Sequence, residues 1–91
     1  MITNKTNQDF DYLDYNKMFL TFDLGLASSL VSLGYELWNL EKSNPKKVQF
    51  IFKRAEGIDL AVNDYWQDRL KLNARTLFDN QKMLKNRIYS D

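Results

Sequence analysis

The sequence predicts a small single α+β domain, ordered helix, β-hairpin, helix, helix, with a short extra edge strand near residues 18–22 as a further element. Three observations carry this prediction. Apolar residues recur at helical spacing over residues 21–33, 57–70 and 74–89. Two short runs rich in aromatic and branched residues, 35–40 and 48–53, flank the turn dipeptide Asn44-Pro45. The chain has 91 residues, 44% of them hydrophobic and 14% aromatic, which suits one core and one domain.

Residues 1–17 are polar and acidic, show no helical stripe and read as a tail; residues 18–91 form the domain. The run Met18-Phe19-Leu20-Thr21-Phe22 reads either as a brief edge strand or as the lead-in to a helix, because periodicity does not separate the two at this length. Thr21 suits the N-cap of the first helix, with Asp23 in its first turn, where a negative charge complements the helix dipole. That helix should run to about Leu33 and stop at Gly34. Phe22, Leu26, Leu30 and Leu33 make its apolar stripe, widened by Ala27 and Val31. Its other side, Gly25, Ser28, Ser29 and Ser32, is entirely small.

In the second strand Val48, Phe50 and Phe52 alternate with Gln49, Ile51 and Lys53, the pattern of a strand with one buried face. The loop before it carries Lys42, Lys46 and Lys47. The helix over 57–70 places Ile58, Ala61, Val62, Tyr65 and Trp66 inward, and Leu72 follows as a break. Asn73 then caps a helix over 74–89 whose stripe is Leu77, Leu84 and Ile88, broadened by Phe78.

Composition excludes much chemistry. Cysteine and histidine are both absent, which removes disulfides, thiolate and histidine metal sites, the Ser-His-Asp triad and the Cys-His dyad. The three glycines are scattered, so no phosphate-cradling loop exists. Asp9-x-Asp11-x-x-Asp14 lacks the glycine and distal glutamate of a calcium loop and reads as part of the acidic tail. The expectation is a non-enzymatic protein with no cofactor, no metal and no small-molecule substrate. Residues 1–17 lack the basic start and apolar run of a signal peptide, and no stretch approaches a membrane span. A cytoplasmic chain without a membrane partner is therefore expected.

Charge is the most informative feature. Residues 1–41 hold two basic and six acidic side chains, whereas residues 42–91 hold eleven basic and six acidic. The overall charge of +1 hides an acidic front and a basic back. On the third helix Arg75, Lys82 and Lys85 fall close to one face, which Tyr89 continues, and the hairpin loop adds Lys46 and Lys47. These five cations are the candidate phosphate contacts of a nucleic acid. The same pattern also fits a solvated face or an acidic protein partner, diluted as it is by Asp64, Asp68 and Asp79. A second reading is a protein-interaction module or self-association, with docking on Trp38 and on the small face Gly25, Ser28, Ser29 and Ser32. The alternative for that small face is close packing against the chain's own third helix. Trp66 is expected in the core.

The residues Thr21-x-Asp23-Leu24-x-Leu26-Ala27, Leu33-Gly34-Tyr35, Val48-x-Phe50-x-Phe52, Asp64-Tyr65-Trp66, Asn73-Ala74-Arg75 and Leu84-Lys85-x-Arg87-Ile88-Tyr89 resemble a small uncharacterised prokaryotic domain family, associated with bacteria, cyanobacteria among them, and with phages. The resemblance spans roughly residues 18–89. It implies one compact domain of bacterial or mobile-element origin. It implies no established activity, so no functional residue is carried over.

Overall fold

The apolar run at the start of the domain resolves as an edge strand. In a computed structural model, which describes residues 14–44 and 46–90, the order is β1 (Met18–Thr21), α1 (Leu24–Ser32), β2 (Leu37–Glu41), β3 (Gln49–Lys53), α2 (Ile58–Trp66) and α3 (Ala74–Tyr89). The fold is α+β. Of the expected tail, residues 1–13 lie outside the described residues, as do Pro45 and Asp91. Residues 15–17, at the end of that expected tail, form a 3₁₀ turn, Tyr15–Lys17, capped by the Asp14 carboxylate, which accepts the Asn16 N–H at 3.0 Å.

The sheet order is β1-β3-β2, and both pairings are antiparallel. β1 and β2 therefore run parallel with β3 between them, and α1 is the crossover that joins them. A crossover helix must lie on one face of its sheet, so that face becomes the core. Phe50 and Phe52 of the central strand point into it and are 1% and 0% exposed. Phe19 and Thr21 flank them on one side, Leu37 and Leu40 on the other. Leu37 and Leu40 are three residues apart, a spacing that simple alternation forbids on one face. The register slips between Leu37 and Asn39, and this bulge turns both leucines inward. Trp38 falls within the bulge, half-buried and outside the core cluster.

Leu26, Ala27 and Leu30 of α1, Ile58 and Ala61 of α2 and Leu84 of α3 complete the core against the two phenylalanines. The N-cap of α1 is Asp23 rather than Thr21. The Asp23 carboxylate accepts the Leu26 N–H at 2.8 Å, and the Thr21 hydroxyl accepts the Asp23 N–H at 3.0 Å. With the helix starting only at Leu24, Phe22 sits outside its periodicity and is exposed. α1 closes in a Schellman motif. Gly34 takes φ +98°, its N–H bonds the Val31 carbonyl and the Tyr35 N–H bonds the Leu30 carbonyl, each at 3.0 Å.

α2 ends the same way, earlier than its apolar pattern predicts. Asp68 adopts φ +61°, and the Arg69 N–H reaches the Asp64 carbonyl at 2.8 Å. Residues 67–70 thus lie beyond the helix. Trp66, at the last helical position, is 57% exposed instead of buried. Its ring packs T-shaped against that of Tyr65, with ring centroids 4.9 Å apart. Phe78 on α3 is also exposed, because six residues place it about 120° around the helix from the buried Leu84.

Candidate nucleic-acid interface

α3 has two faces of different chemistry. Leu84 is fully buried, Leu77, Asn80 and Ile88 are half-buried, and together they mark the inner side. Arg75, Phe78, Lys82, Lys85 and Tyr89 recur at intervals of three and four and are all exposed. At about 100° per residue their directions fall within about 80° of one another, a single stripe. Three cations and two aromatic rings share it. Asp79 is the helix's only acid. Among the described residues the ion pairs are Arg54–Asp59 at 2.8 Å and Arg69–Asp64 at 3.4 Å, so none neutralises the α3 cations.

The small face of α1 explains how α3 is seated. Ser28 and Ser29 are 0% and 1% exposed. Their hydroxyls donate back to the carbonyls of Leu24 and Gly25 at 2.8 and 2.9 Å, which satisfies them inside the helix and leaves little bulk outside it. Ser32 donates likewise to the Ser28 carbonyl at 2.7 Å and accepts from Asn80 of α3 at 2.9 Å. At Gly25 an added Cβ would run into the Tyr65 hydroxyl of α2. The face read as a docking surface for a partner is covered from within by α2 and α3. Trp38 lies in the β2 bulge, away from these residues, so the expected protein-interface set does not form one surface.

Tyr65 donates to the Asp23 carboxylate at 3.4 Å. Burial, followed by the nearby Asp23 charge, holds its phenol above the usual tyrosine value.

The hairpin loop is joined to the end of α3. Lys42 donates through Nζ to the Arg87 and Ser90 carbonyls at 2.9 and 2.8 Å, satisfying acceptors that the helix C-terminus leaves open. Lys42 is thus committed to structure. Asn44 shapes the next turn. Its side chain accepts the Lys46 N–H and its carbonyl accepts the Lys47 N–H, both at 3.0 Å. Glu41 steadies the loop's start by accepting the Ser43 N–H at 2.8 Å, and that bond lowers its carboxyl pKa.

These bonds bring Lys46 and Lys47 beside Tyr89. A cleft of about 240 Å³ opens there, walled by Phe22, Val48, Ile88 and Tyr89 with both lysines at its rim. The Lys47 ammonium sits 4.8 Å above the centre of the Phe22 ring. At the stripe's other end a cleft of about 340 Å³ lies between Tyr65, Leu70, Leu72, Leu77 and Phe78. Of the five cations expected to contact phosphate, the structure gathers Lys46 and Lys47 around Tyr89 and places Lys85 one helical turn away. Lys82 follows along the same stripe, and Arg75 lies about 21 Å from Tyr89 along the axis.

Periodicity puts Phe22 and Phe78 on the apolar stripes of their helices, whereas the structure places both at the surface. The signal that locates Phe78 is in the sequence: it falls on the stripe 75, 78, 82, 85, 89, opposite Leu84. Phe22 offers no such signal, since its exposure follows from where α1 begins.

Among the described residues no cluster of three metal-capable side chains occurs, and no helix is long and apolar enough to cross a membrane. Comparison with curated proteins and with solved structures finds no match. Residues 16–90 match a family described as a domain of unknown function, so all of β1 through α3, the stripe and the cleft included, lies within the shared unit, and the chain belongs to that family, DUF5659.

Proposed function

We propose that this chain is a non-enzymatic binding module of a bacterial or phage cytoplasm that associates with nucleic acid through α3 and the hairpin loop. One observation carries the reading: the exposed α3 stripe Arg75, Phe78, Lys82, Lys85, Tyr89 continues into Lys46 and Lys47 at the cleft. Cations that are free of carboxylate partners release counterions when they meet phosphates, and exposed rings between them stack on bases. Contacts of this kind position a nucleic acid without reading its sequence, so weak sequence preference is expected. The net charge of +1 is low for such a protein, which places the attraction in this local patch and not in the field of the whole molecule.

The reading is tested by fluorescence anisotropy of a labelled oligonucleotide at low salt, comparing the wild type with Lys82→Glu/Lys85→Glu. Both positions are exposed, so the variant should fold normally while its binding drops by at least about tenfold, as expected from losing and reversing two phosphate contacts. Unchanged binding would remove α3 from the interface.

A second reading, a protein-interaction module, draws on a different observation. Leu60, Trp66 and Phe78 are large, apolar and exposed on α2 and α3, and an exposed tryptophan is a common interface anchor. On this reading the partner, a host protein or a second copy, meets α2 instead of α1. A shift to a dimer on a sizing column, insensitive to salt and lost in Trp66→Ala, would favour it.

A further inference from the structure

The geometry points to an unpaired base as the occupant of the cleft between the hairpin loop and the end of α3. One base of a single strand stacks on Tyr89, and the adjoining phosphate is held by Lys47. This deepens the nucleic-acid reading and rests on it.

Four features support it. Tyr89 is 82% exposed and forms a wall of the cleft, so its ring offers a free face. Val48 and Ile88 supply apolar surface beside it, which suits the faces of a base and not a phosphate. The cleft, at about 240 Å³, is on the scale of one planar base. Lys47 is already placed: Phe22 lies under its ammonium at 4.8 Å, and Asn44 fixes the turn that carries it. Phe22 is accordingly a positioning residue, its ring occupied by the lysine and not by the base.

A phosphate beside a helix C-terminus would ordinarily be repelled by the open carbonyls there. Lys42 removes that objection, because it donates to the carbonyls of Arg87 and Ser90. The same two bonds hold the loop against α3, so Lys47 and Tyr89 are preorganised and little ordering is needed on binding. In a duplex the base is already stacked and paired, and Tyr89 has no face to meet. The site therefore prefers a single strand.

The test compares a short labelled DNA single strand with a duplex of the same sequence, against the wild type, Tyr89→Ala, Tyr89→Phe and Phe22→Leu. Circular dichroism and thermal melting confirm that each variant is folded. The wild type is expected to bind the single strand more tightly. Tyr89→Ala should weaken single-strand binding by about 5- to 150-fold, the measured range for one stacked base, and leave duplex binding unchanged. Tyr89→Phe should retain the affinity, since stacking needs the ring and not the hydroxyl. Phe22→Leu should weaken binding by a few fold and flatten its salt dependence, because Lys47 loses its support. If the single strand and duplex bind equally, and Tyr89→Ala changes neither while Lys82→Glu/Lys85→Glu still lowers binding by at least about tenfold, the cleft inference is overturned and the nucleic-acid reading stands. If neither binds at low salt, both fall.

Discussion

Asp23, Gly25 and Tyr65 form a small knot in which each residue constrains the others. The Asp23 carboxylate caps α1 and also receives the Tyr65 hydroxyl. Gly25 leaves the space that the hydroxyl fills. Alanine is intrinsically better than glycine inside a helix by about 1 kcal/mol. Gly25→Ala should nevertheless lower the melting temperature, because its methyl group meets the Tyr65 oxygen; Tyr65→Phe in the same chain should return most of the loss. The raised pKa of Tyr65 has a consequence of definite sign. The fold favours the neutral phenol, so this contribution to stability is complete below the unfolded tyrosine value near 10 and is lost as pH rises through the higher folded value. Denaturant melts across that range should show stability falling with pH, and a shallower fall in Tyr65→Phe.

The ends of the elements show where sequence is informative and where it is silent. Gly34 marks the end of α1 because a residue without Cβ takes a positive φ readily. Asp68 does the same work at the end of α2, yet an aspartate between Gln67 and Arg69 carries no comparable sign, so the sequence predicts a helix that continues to residue 70. Asp68→Gly should relieve the left-handed conformation and raise stability by up to about 1 kcal/mol, read as a shift in denaturant midpoint. A loss of stability would mean that the Asp68 side chain does more than tolerate its backbone. The β2 bulge is a third instance. The alternation of Val48, Phe50 and Phe52 was legible because β3 is central and regular. Edge strand β2 breaks alternation at Trp38, and nothing in Leu37-Trp38-Asn39-Leu40 distinguishes a bulge from a regular strand.

Across the whole molecule, the fold class and the helices are legible because they rest on periodicity, and the nearness of Arg75, Lys82 and Lys85 on one face of α3 is legible from their spacing. What periodicity withholds is which other element covers a given face. Sequence alone leaves the small face of α1 open to two readings, which the seating of α3 on it separates, and periodicity puts Phe78 and Trp66 inside because they sit at the margins of real stripes. The cleft was not legible at all. It exists because Lys42 joins residues 45 and 48 positions apart in the chain, a contact no local pattern encodes. The acidic and basic halves of the sequence likewise acquire meaning only in three dimensions. Three of the four α3 cations, Arg75, Lys82 and Lys85, have no ion-pair partner among the described residues and fall on one stripe, with Arg87 on the other side, and that stripe runs into the loop that carries two more.

Amide chemical-shift mapping on titration with a short single-stranded oligonucleotide tests this arrangement most directly. Perturbations should concentrate at Lys46, Lys47 and Val48 and along Arg75, Phe78, Lys82, Lys85 and Tyr89, with the remainder of the sheet unmoved. Five phosphate contacts should also make log affinity fall against log salt with a slope of about −3.5. Perturbations centred on Trp38 and β1, or none at low salt, would contradict the account.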